Sequence, residues 1–104
     1  MGLFSFMGGA DINAGVREYR AAENALLLDV READEYAQGH IPGSRNLPLS
    51  ELEERWEELE EGKTLFVYCL SGGRSRQAAA FLGGKGFAVK NIGGISAWHG
   101  EVEK

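Results

Sequence analysis

The chain has a single cysteine, Cys69, and it stands in "FVYCLSGGRSRQAAAFL", residues 66–82, between an apolar run and a helix-like stretch. If residues 64–70 form a strand and 74–82 a helix, then Cys69, Leu70, Ser71, Gly72, Gly73 and Arg74 must curl from one to the other. Gly72 and Gly73 permit backbone angles closed to other residues, so successive N–H groups can turn inward as a nest. The start of the helix adds unpaired N–H groups and the positive end of its dipole. Together these make an anion-binding cradle with a sulfur at its floor, and such a cradle favours thiolate over thiol. Arg74 can reach over the rim and pair with an oxyanion through two N–H groups. The chemistry expected is nucleophilic attack by Cys69 on an anionic substrate held in the loop. A buried cysteine can also be a small apolar residue finishing a strand, but that role does not account for the Gly-Gly-Arg-Ser that follows. Ser71 and Ser75 read as hydrogen-bonding or capping residues, since no base accompanies either.

The elements that must position this loop follow from hydrophobic patterning. "ALLLDV" (Ala25 to Val30) and "TLFVYCL" (Thr64 to Leu70) are continuous apolar runs, the pattern of strands buried on both faces of a parallel sheet. "RNLPL" around Leu47 and "AVKNI" (Ala88 to Ile92) read as shorter strands. Between them lie helical patterns. Asp11 can cap a helix with Ile12, Val16 and Tyr19 on one face, and "READEYAQG" gives two turns stopped by Gly39. Leu49, Leu52, Trp56 and Leu59 form an apolar stripe on an acidic segment, with Ser50 and Glu53 as a capping box and Gly62 at its end. In "RSRQAAAFLGGKG", Ala78, Phe81 and Leu82 face inward and Gly83 and Gly84 end the helix. Alternating strands and helices predict an α/β domain, a parallel sheet with helices on both faces, whose ligands bind beyond the carboxyl ends of strands. Cys69 lies at such an end.

Composition bounds the partners. At 104 residues the chain suits one domain, 1–104, with residues 1–10 as a flexible or loosely packed tail. The net charge of −5 argues against nucleic acid and anionic membranes, although the acid is concentrated in residues 50–62. One cysteine forms no internal disulfide, and no secretory leader or membrane span is visible, so a cytoplasmic monomer is expected. No metal-ligand set is apparent, and no cofactor is called for.

With these residues in view, the sequence resembles the rhodanese-like sulfurtransferase family. "LLLDVREADEYAQGHIPGSRNLPL" (26–49), "FVYCLSGGRS" (66–75), the helix after it and "VKNIGGISAWHG" (89–100) occur in the family's order and cover roughly residues 11–100. The resemblance implies a parallel sheet of about five strands and an active-site loop from Cys69 to Arg74. It also implies that Cys69 takes sulfane sulfur from a small anionic donor such as thiosulfate, forms a persulfide, and passes the sulfur to cyanide, a thiol or a protein acceptor. Backbone N–H groups of Leu70, Ser71, Gly72, Gly73 and Arg74 are implied to surround the terminal sulfur, with Arg74 on the anionic donor.

Related folds that hydrolyse phosphate esters or reduce arsenate place five residues between cysteine and arginine. Here four separate Cys69 from Arg74, a smaller loop that suits a persulfide. The alternative function is a sulfur carrier or protein-binding module without thiosulfate turnover. The neutral Leu70 beside the cysteine counts against thiosulfate as the preferred donor. The remaining motif residues read as scaffold: Asp29 ends a buried strand, Arg31 and Glu35 form an i, i+4 pair, His40 organises a turn, Trp56 and Trp98 belong to the core, and Gly93 and Gly94 allow a tight turn against the sheet.

Overall fold

The computed structural model describes residues 10–104. The tail expected at residues 1–10 therefore falls, Ala10 apart, outside the described residues. Four strands alternate with four α-helices: α1 (Ile12–Ala21), β1 (Ala25–Asp29), α2 (Ala33–Gln38), β2 (Ser44–Asn46), α3 (Leu49–Arg55), β3 (Thr64–Cys69), α4 (Gly73–Gly84) and β4 (Ala88–Gly94). Short 3₁₀ turns follow α3 at Trp56–Glu58 and β4 at Ile95–Ala97.

The sheet is parallel throughout, in the order β2-β1-β3-β4. The two continuous apolar runs are its interior strands, covered on both faces. Their side chains alternate between two cores, as a period of two requires. Leu28, Val30, Leu65, Val67 and Cys69 pack with Leu52 of α3 and with Ala78 and Leu82 of α4. Leu27, Phe66 and Tyr68 pack on the other face with Ile12 and Val16 of α1. Asp11 caps α1 as its sequence suggests, its carboxylate accepting the N–H groups of Asn13 and Ala14.

Several expectations need correction. The sheet has four strands rather than about five among the described residues. Beyond β4 the chain turns into a 3₁₀ segment and returns only far enough for one antiparallel bridge, His40 with Glu103. β2 is Ser44–Asn46 rather than a strand around Leu47, because Leu47 N–H and Leu49 N–H bond the carbonyls of Asp29 and Val30 and lead into α3. Helix α3 starts at Leu49, so Ser50 sits inside its first turn and cannot cap it; Ser50 Oγ donates instead to Glu32. The capping box belongs to α2, between Glu32 and Glu35. α3 also ends at Arg55, well before Gly62, which sits in a later turn. Trp56 and Trp98 are half-buried at the margins of the two cores rather than inside them.

Candidate active site

β3 delivers Cys69 to the carboxyl edge of the sheet, and α4 begins four residues later. Gly72 takes the left-handed conformation, φ 106°, which closes the turn and directs its N–H back onto Cys69 Sγ at 3.0 Å. On the opposite side, Gly94 lets the end of β4 lie directly against this loop, since a Cβ there would collide with the carbonyl oxygen of Leu70. A bulge in β4 opposite Val67 and Tyr68 aims Asn91 at the loop and Ile92 into the α1 core. Ser96 N–H donates to the same Leu70 carbonyl at 3.0 Å.

Cys69 is 1% exposed. Burial by itself raises its pKa, but the Ser75 hydroxyl and the backbone N–H groups of Ser75, Gly72 and Ser71 outweigh that penalty, and the net shift is downward. The sulfur thus sits at the junction of an apolar core and a polar turn whose hydrogen-bond donors favour ionisation. Ser75 is buried, with Oγ 3.4 Å from Sγ, and it donates to Asn91 Oδ1 at 2.7 Å. Asn91 Oδ1 also accepts the Gly93 N–H at 3.1 Å.

Of the residues expected from the sequence, Cys69, Gly72, Gly73 and Arg74 do meet around one turn, with Leu70 45% exposed at its lip and Ser71 exposed beside it. Arg74 is not free to reach over the rim. Its Nη1 and Nη2 donate to Glu35 Oε1 and Oε2 at 2.7 and 3.0 Å, a two-point ion pair that holds the Glu35 carboxyl down at about 2. Glu35 was expected to pair with Arg31. Arg31 instead turns to Asp29, with Nη2 2.7 Å from Oδ2 and Nε 3.0 Å from both oxygens, and donates to Gly39 O. This buried pair fixes the end of β1 to the end of α2. His40 stacks on Tyr36 with ring centroids 3.7 Å apart and its Nδ1 lies 2.9 Å from the Tyr36 carbonyl, a turn-organising arrangement.

Sequence reasoning passed over Asn91 and gave Ser75 only a generic role. An asparagine within a strand pattern carries no mark of which way it points, and Ser75 and Asn91 are 16 residues apart. A groove of about 640 Å³ adjoins the loop, lined by Asp11, Ser71, Gly72, Gly73, Arg76 and Ser96 among others; Cys69 and Arg74 do not line it. Among the described residues no three His, Cys, Asp or Glu side chains converge to hold a metal, and no helix is long and apolar enough to cross a membrane.

Comparison with known proteins gives the family. The rhodanese-like domain family model matches residues 14–101. The chain belongs to the rhodanese-like family. It is 43% identical over 78 residues to a sulfurtransferase of Allochromatium vinosum, covering 73% of each protein. A thiosulfate sulfurtransferase of Ectopseudomonas mendocina is 35% identical over 79 residues, 74% of this chain and 72% of that one. A candidate sulfur carrier protein of Bacillus subtilis is 40% identical over 83 residues, 78% of this chain, and the chain spans only 45% of that relative's length. Among solved structures, a rhodanese-related protein of Thermoplasma volcanium superposes with a TM-score of 0.73 at 39% identity, covering 86% of this chain and 89% of that one. Rhodanese-like relatives of this chain thus carry the names of sulfurtransferases and of a sulfur carrier.

Proposed function

We propose that this rhodanese-like chain is a sulfurtransferase that carries sulfane sulfur on Cys69. The observation that supports it most is the placement of Sγ: buried, at a strand end, accepting the Gly72 N–H, with its pKa lowered by the turn around it. The thiolate attacks the outer sulfur of a donor. With thiosulfate, the S–S bond breaks, sulfite leaves with the electron pair, and Cys69 holds a persulfide, Cys–S–S⁻. The N–H groups of Leu70, Ser71, Gly72, Gly73 and Arg74 then face the charge on the outer sulfur, as preorganised donors do for an oxyanion. A cyanide ion or an acceptor thiolate attacks that outer sulfur in turn, and Cys69 leaves as thiolate. The chain has one cysteine, so the acceptor comes from outside it.

The kinship to a named sulfur carrier favours a second reading, in which the loaded domain delivers its sulfur to one protein partner and turns over thiosulfate poorly. Both readings pass through the same persulfide. Incubating reduced protein with thiosulfate, and separately with an alkyl persulfide, and recording intact mass tests it. Wild type should gain one sulfur atom that cyanide removes, and Cys69→Ser should gain none while unfolding within about 1 kcal/mol of wild type. A gain retained by Cys69→Ser, or no gain from either donor with the thiol shown free, would sink the assignment.

A further inference from the structure

The mouth of the loop carries less positive charge than its sequence suggests. Arg74 gives one N–H from each terminal nitrogen to Glu35. Glu32 adds a second carboxylate whose field reaches Arg74, and a charged Cys69 reaches it as well. Arg31, 5% exposed, is held by Asp29 and the Gly39 carbonyl through Nε and Nη2. Two guanidinium groups therefore face three carboxylates, Asp29, Glu32 and Glu35. Leu70, the residue after the nucleophile in sequence, offers an exposed aliphatic side chain. A dianion arriving at Arg74 meets cations already paired with carboxylates, and an exposed aliphatic side chain.

We propose that Glu35 is a specificity-determining positioning residue: by occupying Arg74 it turns the site away from the thiosulfate dianion and towards a singly charged, carbon-bearing donor, an alkyl or peptidyl persulfide whose organic group packs on Leu70. The inference rests on the sulfurtransferase reading and names its donor class. The step is R–S–S⁻ plus Cys69–S⁻ giving Cys69–S–S⁻ plus R–S⁻: the outer sulfur forms one S–S bond as the other breaks, and R–S⁻ leaves with the electron pair. No external oxidant or reductant enters. Glu35 acts only through Arg74, whose charge and that of Cys69 act on one another across the loop. The pair persists at all working pH values, because the Glu35 carboxyl is held at about 2. Among the described residues Arg76 has no carboxylate within ion-pair distance, but it lines the adjoining groove, which Cys69 does not.

The test measures second-order loading of Cys69 by intact mass with two probes, thiosulfate and the persulfide of N-acetylcysteine methyl ester. Wild type should load faster from the alkyl persulfide. Glu35→Gln keeps the side-chain length and an acceptor for the Glu32 N–H, and removes one negative charge. It should speed thiosulfate loading by roughly fivefold and alkyl persulfide loading by at most about twofold, because a dianion feels the change twice as strongly. Leu70→Arg, on an exposed side chain that the fold does not need, should move the same ratio in the same direction. If thiosulfate loads wild type faster, or if Glu35→Gln lowers both rates equally as a merely structural residue would, the inference fails while the sulfurtransferase reading stands. Loading by neither probe overturns both.

Discussion

Ser75 Oγ lies 3.4 Å from Cys69 Sγ, 2.7 Å from Asn91 Oδ1 and 3.1 Å from the Gly72 carbonyl, and its hydroxyl has one proton to share among them. When Cys69 is a thiol, the short bond to Asn91 takes that proton. When Cys69 ionises, the proton gains a charged acceptor, and bonds to charged groups are the stronger kind. Asn91 in turn is held by the Gly93 N–H, so the end of β4 sets where the hydroxyl can point. Ser75→Ala should therefore move the thiol titration of Cys69 to higher pH, read by thiolate absorbance, and slow sulfur loading at neutral pH by roughly threefold or more. The sign carries over to stability. A folded thiol with a depressed pKa contributes stability that is full above the unfolded thiol's pKa and lost as pH falls through the folded one. That alkaline gain should be smaller in Ser75→Ala.

Glu35 titrates in a separate window. Its folded carboxyl sits at about 2, against an ordinary carboxylate value of 4.5, with Arg74 the main cause. The ion pair stabilises the fold fully above 4.5, and this contribution is lost as pH falls through about 2. Urea midpoints measured from pH 5 down to about 2 should fall more steeply for wild type than for Glu35→Gln. Parallel curves would mean that the pair adds nothing to stability.

Gly94 has no room for a side chain, because the carbonyl of Leu70 occupies the place of a Cβ. Gly94→Ala must push apart the end of β4 and the loop that holds Cys69. The cost should be about 2 kcal/mol or more in denaturant unfolding. Loading of Cys69 should slow as well, since the displaced carbonyl belongs to the residue next to the nucleophile. An alanine variant with unchanged midpoint and rate would contradict this packing.

Asp29 is fully buried and Arg31 nearly so, and each is the other's charge partner. Asp29→Ala leaves a guanidinium buried without its anion and should cost about 3–5 kcal/mol. Adding Arg31→Met to that variant should recover much of the loss, because the pair's desolvation is then no longer required. A chemical-denaturation double-mutant cycle measures both effects.

Much of this architecture was legible in the sequence where a pattern is local. β1 and β3 are interior strands, so their apolar runs lack alternation and stand out. Asp11 caps α1 from one residue away, and the Cys69 turn is contiguous. The loop's ligands were less legible because they come from far along the chain. Glu35 meets Arg74 across 39 residues, while a nearer and weaker i, i+4 spacing pointed to Arg31. The false capping box at Ser50 has the same origin: Ser and Glu at the right spacing say nothing about where a helix starts, and the bonds of Leu47 and Leu49 to the end of β1 decide that. The resemblance implies about five strands and the described residues form four; after β4 their one further β-type pairing is the bridge of His40 with Glu103.

Cys69 belongs to the same apolar cluster as Leu65, Val67 and Leu82, and only 1% of it meets solvent. The nucleophile is consequently anchored with the stiffness of the interior, without the freedom of a loop side chain. In the loaded form proposed above, the outer sulfur stands about 2 Å further along the Sγ direction. The resting atom is recessed, so the proposed loading extends the reach of the site by one bond length with no moving part. A bulky acceptor could then tell an occupied domain from an empty one by touch alone.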